Sequence, residues 1–280
     1  MILIKTIQQA RNLLGKQQAG GSSIGFVPTM GALHNGHMSL IKTCLDDDQY
    51  CVCSIFVNPT QFNNPSDFAR YPVTIEKDIR MLEAAGCNML FLPSVEEMYP
   101  AGYTALHYDL GYLETILEGE FRPGHFQGVC QIVDKLLAVV APDKLYMGQK
   151  DYQQCMVIKK MINLRGYSTE LKIQPTIRET SGLAMSSRNM RLDDEAKAAA
   201  ITISQVLFQM KENLRAGDLA SLKQNARQRL EQQGFTVDYV EIADANDLQI
   251  VNAWDGSRSI VALLAAFLGE VRLIDNLVLS

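Results

Sequence analysis

Over roughly the first 175 residues, short apolar runs alternate with longer stretches in which apolar positions recur at helical spacing. That alternation is the pattern of βαβ units wound around a parallel sheet. Strands are predicted at 24–28, 51–57, 89–92, 145–147 and 171–174, and helices at 38–45, 75–85, 129–140 and 152–164. Beyond about residue 176 the texture changes. Helical periodicity covers 193–214 and 219–232, and β-rich segments follow at 236–242 and 259–268. The expectation is an α/β domain over 1–176 and a smaller α+β domain over 177–280.

Composition narrows the class of protein. The chain has 280 residues, 47% of them apolar, enough to bury an ordinary core. Its 26 basic and 31 acidic residues give a net charge of −5 with no long single-sign run. No nucleic-acid partner is expected from such a balance. The apolar run 260–268 is nine residues long, well short of the roughly 20 needed to span a bilayer, and reads as a buried strand; no membrane partner is expected. The amino terminus lacks the features of a secretory signal, so a cytoplasmic location is expected. Six cysteines, with no CxxC pair among them, sit mostly beside apolar residues and read as reduced, buried thiols.

Candidate chemistry concentrates where predicted strands end. The segment Met30-Gly31-Ala32-Leu33-His34-Asn35-Gly36-His37 leaves a strand, bends at two glycines and enters a helix near His37. Backbone N–H groups at such a helix start, with the positive end of its dipole, suit a phosphate. The chain has only four histidines, and two of them fall in this turn. Asn58 and Gln61 follow a second strand, where amides can bind hydroxyl and carboxylate oxygens, although Asn-Pro is equally a turn signal. In the segment Gly148-Gln149-Lys150-Asp151, Lys150 can neutralise phosphate and Asp151 can accept from a ribose hydroxyl or simply cap a helix. Met185-Ser186-Ser187-Arg188 offers two hydroxyls and a permanent cation. Ligands of open α/β sheets bind at the carboxyl ends of strands, where these clusters lie. No GxGxxG follows a strand, no GxxxxGK[ST] occurs, and no covalent nucleophile presents itself.

An HxGH turn early and a serine-containing basic loop late form the layout of nucleotidyl-transferring enzymes with HIGH- and KMSKS-type signatures. The motifs PTMGALHxGH at 28–37, SIFVNPxQF at 54–62, RPGHFxGV at 122–129, GxKDxQQ at 148–154 and SSRN at 186–189 occur in this order. With these motifs the chain resembles the pantoate–β-alanine ligase family, from near its amino terminus to Arg272-Leu273-Ile274-Asp275-Asn276. The resemblance implies a homodimer whose Rossmann-like, doubly wound amino-terminal domain holds ATP and pantoate, a smaller carboxy-terminal domain acting as a lid, and Mg2+ with the nucleotide. It implies condensation of pantoate with β-alanine through a pantoyl adenylate, releasing AMP and pyrophosphate.

By the same resemblance, Met30 to His37 form the ATP turn, with His37 the catalytic proton donor and His34 its partner at the phosphates. Gln61 and Gln154 hold pantoate, with Asn58 beside them. Gly148 to Asp151 bind ribose and phosphates, Ile177 meets adenine, and Met185 to Arg188 close over the triphosphate, with Lys150, Ser187 and Arg188 counted as catalytic. Arg122 and His125 lie in a loop that either borders the substrates or is plain surface. Asn35, Gln149 and Ser181 replace acidic residues common in the family. The metal ligands stay open, with Asp78 a candidate by position. The rival readings are a nucleotidylyltransferase that moves AMP or CMP to a phosphorylated acceptor, a relative of class I aminoacyl-tRNA synthetases, and a non-catalytic nucleotide sensor.

Overall fold

The computed structural model describes every residue from Met1 to Ser280. It divides into two compact units, the first made of Met1–Gly148 with Gln154–Pro175, the second of Gln149–Gln153 with Thr176–Ser280.

The first unit carries strands β1 (Ile2–Ile4), β2 (Ile24–Thr29), β3 (Tyr50–Ile55), β4 (Met89–Phe91), β5 (Lys144–Gly148) and β6 (Glu170–Gln174). All pair in parallel, in the order β1-β4-β3-β2-β5-β6. This is the Rossmann-like architecture expected. β2 lies between β3 and β5, and the chain reaches β3 and β4 on one side of it before crossing to β5 on the other. The carboxyl ends of β2 and β5 therefore flank the point where strand order reverses, the usual ligand crevice of such sheets.

Helices α1 (Ile7–Ala19), α2 (Asn35–Asp47), α3 (Pro65–Ala69), α4 (Ile75–Ala84), α5 (Val95–Met98), α6 (Glu118–Phe121), α7 (His125–Val140) and α8 (Tyr152–Arg165) fill the connections. Every residue of β3 is buried, as suits a central parallel strand covered on both faces. Pro28 is tolerated inside β2 because pairing with β5 stops at Phe26, so its missing N–H breaks no bond on that side. All six cysteines are free and buried, as their neighbours suggested.

Where the structure departs from expectation, polar residues are responsible. α2 begins at Asn35 rather than 38 because His34 caps it. α7 begins at His125, just after Gly124 at φ 80. β1 and α1 were not foreseen.

In the second unit, α9 (Asp194–Glu212) opens on an Asp193 cap whose carboxylate accepts from the Ala196 N–H at 2.8 Å. A two-residue pair, β7 (Gly217–Asp218) with β9 (Ala253–Trp254), flanks α10 (Ala220–Gln232) and β8 (Phe235–Asp244). β10 (Ile260–Leu268), the buried strand read from its apolar run, is the middle strand of an antiparallel sheet between β8 and β11 (Val271–Val278). Ala262, Leu264 and Ala266 of β10 join Ile203 and Leu207 of α9 and Leu230 of α10 in one core. β11 was not predicted as a strand. It carries Asp275 and Asn276, two buried polar residues that break its apolar pattern. No helix is long and apolar enough to cross a membrane.

Packing inside the sheet leaves no room for a side chain at Gly25. A Cβ there would press on the Cys44 sulfur, lie 2.6 Å from Asp48 Oδ2 and 3.1 Å from the Tyr146 ring. Tyr146 itself is fully buried and donates to Asp48 Oδ2 at 2.6 Å, so neither neighbour can withdraw without losing that bond. Gly25→Ala is expected to destabilise the protein by about 1–3 kcal/mol, the usual cost of overpacking. A urea titration should show a lower midpoint at unchanged slope.

Candidate active site

The turn after β2 is shaped from below. Asp78, on α4, is fully buried. Its Oδ2 accepts from the Ala32 N–H at 2.9 Å, and its Oδ1 accepts from the Leu33 N–H at 2.8 Å and the Thr74 hydroxyl at 2.9 Å. The turn reaches it only through left-handed backbone at Gly31 (φ 80) and Ala32 (φ 48). At Gly31 a Cβ would lie 3.1 Å from Asp78 Oδ2, so glycine is the residue that fits. Asp78, a metal candidate by position, thus has both oxygens committed to the backbone.

The histidines complete the turn. The His34 N–H donates to His37 Nδ1 at 3.3 Å, the Gly36 N–H donates to His34 Nδ1 at 3.2 Å, and the two rings stack at 4.0 Å between centroids with a 36° tilt. Together they form a capping box at the start of α2. A ring nitrogen that accepts a backbone N–H carries no proton, so the neutral form of each ring holds its proton on Nε2. Both imidazoles are thereby oriented as Nε2–H donors. The backbone, expected to meet an anion here, is largely used within the turn. The Gly31 N–H donates to Thr29 Oγ1, those of Ala32 and Leu33 to Asp78, and that of His37 to the His34 carbonyl. Donors for an anion therefore come from the rings more than from the helix start. Asn35 is exposed, and Met30 leads into the turn.

The second cluster of the first unit is organised by Asn58, which is 1% exposed. Its Nδ2 donates to the Gly128 carbonyl at 3.0 Å and to Gln61 Oε1 at 3.3 Å, while its Oδ1 accepts from the Tyr99 hydroxyl at 2.9 Å and the Thr60 hydroxyl at 3.1 Å. Burial pushes the Tyr99 hydroxyl above the ordinary phenol value, which keeps it a donor. Sequence reasoning placed Asn58 on the substrate. The structure places it behind Gln61, with its amide occupied by protein partners. Gln61 also reaches Met30 Sδ at 2.9 Å through Nε2.

α7 braces this cluster. A Cβ on Gly128 would stand 2.6 Å from the Thr60 carbonyl carbon and 2.8 Å from Gln61 Cα, so only glycine lets the helix pack directly on that backbone. His125, 5% exposed, holds Nδ1 2.8 Å from the Gln61 carbonyl, and Arg122 Nη1 lies 3.1 Å from its Nε2. A guanidinium can only donate, so Nε2 accepts and Nδ1–H donates to Gln61. His125 is therefore no plain surface residue. Gln154 lies in the same unit, half-buried near the start of α8.

In the second unit, residues Gln149 to Asp151 form one 3₁₀ turn directly after Gly148, the last residue of β5. Lys150 Nζ is 3.9 Å from Asp151, with the lysine side chain 16% exposed. Ile177 is exposed, and its carbonyl accepts the Met185 N–H at 3.0 Å. Ser186 caps the 3₁₀ turn Ser187–Arg191 by accepting the Arg188 N–H at 3.2 Å. Ser187 is buried, Arg188 half-buried, and Ser181 exposed. Asn189 pins this turn to the Ala184 carbonyl at 3.1 Å.

Asp78, Tyr99, Gly128 and Asn276 are the residues that sequence reasoning missed or misplaced. Asp78 stood out by position, and Gly128 and Asn276 lay inside segments that resemble the family, but nothing in the sequence told what any of them holds.

A Rossmann-like sheet with a histidine-capped turn at its reversal point defines a nucleotide-binding enzyme of the HxGH type. The family model for pantoate-beta-alanine ligase matches residues 2–278, and the chain belongs to that family. A pantothenate synthetase from Bacteroides thetaiotaomicron is 44% identical over 278 residues, 99% of this chain and 98% of the relative. Among solved structures, pantothenate synthetase from Thermus thermophilus matches at TM-score 0.91 and 37% identity, covering 99% of both chains. The Francisella tularensis pantoate-beta-alanine ligase, complexed with beta-gamma ATP and beta-alanine, matches at TM-score 0.83 and 37% identity, covering 99% of this chain and 97% of that one.

Asp78→Asn leaves the shape but turns one acceptor into an NH2 group facing a backbone donor. A loss of about 1–3 kcal/mol is expected from the orphaned N–H, visible in the denaturant midpoint. A calorimetric titration should also find weaker ATP binding, because the turn is no longer held.

Proposed function

We infer that this protein joins pantoate to β-alanine at the expense of ATP, releasing AMP and pyrophosphate, as a carbon–nitrogen ligase of pantothenate biosynthesis. Support comes from family membership along nearly the whole chain. The observation that carries the chemistry is the paired orientation of His34 and His37, each held as an Nε2–H donor by a backbone N–H.

In the proposed course, a pantoate carboxylate oxygen attacks the α-phosphorus of ATP. The new P–O bond forms as the bond to the bridging oxygen breaks, and pyrophosphate leaves. The barrier lies in aligning that attack and in stabilising charge on the phosphate oxygens. His37 and His34 donate Nε2–H hydrogen bonds to the phosphate oxygens, each neutral ring keeping its proton; Lys150, Ser187 and Arg188 supply further donors and positive charge. Met30 to His37, Gly148 to Asp151, Ile177 and Met185 to Arg188 bind the nucleotide in this reading. Gln61 and Gln154 hold pantoate, with Asn58 fixing Gln61 from behind. The neutral amine of β-alanine then attacks the acyl carbon of the pantoyl adenylate, the C–O bond to AMP breaks, and the nitrogen loses its proton.

Mg2+ belongs to the same proposal. No group of three or more His, Cys, Asp or Glu side chains is placed to hold a metal, and the oxygens of Asp78 are spent on the turn. The ion would therefore be held mainly by phosphate oxygens and water, as a hard octahedral cation commonly is. A homodimer and a cytoplasmic location complete the proposal; six free, buried thiols fit a reducing compartment.

The test is AMP release that requires both pantoate and β-alanine and is matched by amide formed. Nucleotide transfer to a phosphorylated acceptor, with no amide, would replace this reading by that of a nucleotidylyltransferase. His37→Ala should slow adenylate formation by about a hundredfold or more, the scale of a lost transition-state donor. Stopped-flow measurement of pyrophosphate release reads this step.

A further inference from the structure

β11 carries a buried polar node that no proposed step uses. Asp275 and Asn276 are 3% and 2% exposed. Asp275 takes a two-pronged ion pair from Arg178, Nη1 to Oδ2 at 2.6 Å and Nη2 to Oδ1 at 3.1 Å, and its Oδ1 also accepts the Asn276 N–H at 2.8 Å. Arg178 further donates to the carbonyls of Gly182, at 3.2 Å, and Asn276, at 3.4 Å. With its charge met and its donors engaged, this pair fixes the backbone that presents the Asn276 side chain.

That side chain grips the turn before α8. Asn276 Nδ2 donates to two successive carbonyls, Gln149 at 2.9 Å and Lys150 at 2.8 Å, while its Oδ1 accepts from Gln149 Nε2 at 3.3 Å. Two carbonyls on one side require the NH2 group there, so the amide has one workable orientation. Gln149, where the family commonly has glutamate, closes the ring as a donor, which an ionised carboxylate could not do.

We propose that Asn276 is a positioning residue for Lys150, clamping the carbonyls of residues 149 and 150 so that the ammonium group is delivered to the nucleotide phosphates. The proposal rests on the reading of Lys150 as a phosphate-binding residue. Asn276 itself touches no substrate. Its effect passes through the backbone of the turn, and a displacement there of about 1 Å is enough to slow an aligned reaction.

The test compares N276A, N276D, K150A and the double variant K150A/N276A in the full-length protein. N276A should lower kcat for pantoate-dependent pyrophosphate release on the order of tenfold to a hundredfold. Aminolysis of synthetic pantoyl adenylate by β-alanine, measured at saturating adenylate, should lose severalfold less than that, since the β- and γ-phosphates have left before this step. N276D, equal in size, should be at least as impaired, because it sets carboxylate oxygens against two carbonyls. In the K150A background, N276A should add less than about twofold, since both changes remove the same function. Multiplicative losses from the two substitutions, or equal damage to both half-reactions, would overturn the proposal and leave Lys150 its role. A K150A variant with undiminished pyrophosphate release would instead remove the reading of Lys150, and the proposal with it. Should N276A not fold, Q149A decides the matter. A severalfold loss that vanishes in the K150A background upholds the clamp, and activity equal to the unsubstituted protein refutes it.

Discussion

A carboxylate shut away from water must be met by donors, and Asp78 finds two of its three in the backbone of the turn that identifies the family. This is the constraint on which the first unit's site depends. It explains the left-handed backbone at Gly31 and Ala32, which aims two successive N–H groups down at α4. It also means that, in the proposed reading, an anion would be met here by side chains more than by backbone. With the backbone N–H groups of Gly31 to Leu33 turned inward, the imidazoles are the groups that the proposed reading sets against a phosphate.

The same logic recurs at two further buried polar clusters. Asn58 is satisfied by Tyr99, Thr60, Gln61 and the Gly128 carbonyl, and in satisfying itself it fixes the Gln61 side chain. His125, its tautomer set by Arg122, holds the Gln61 backbone from the other side. In the second unit, Asp275 and Arg178 steady Asn276. A buried polar group with every partner in place has one arrangement, and that uniqueness transfers to whatever it touches.

Legibility in the sequence followed the same divide. The central strands were readable because burial on both faces leaves continuous apolar runs, as in β3 and β10. β1 is three residues long with two of them exposed, and α1 buries only Ala10 and Leu14 among its glutamines and lysine, so neither leaves a strong period. β11 escaped because Arg272, Asp275 and Asn276 interrupt its apolar positions, and only tertiary partners make such residues fit a buried strand. Of the site, the histidine turn stood out because two of four rare residues fall in one short segment. The supporting residues did not. Asp78 is separated from Ala32 by 46 positions and Asn276 from Lys150 by 126, distances at which one sequence holds no record of a hydrogen bond.

The stacked rings of His34 and His37 have a consequence for how their roles are divided. Each ring supplies the acceptor for a backbone N–H of the shared cap, so neither can be removed without loosening the support of both. Deleting either imidazole takes away a proton-bearing group and also frays the first turn of α2. Losses from the two single deletions will therefore overlap instead of multiplying.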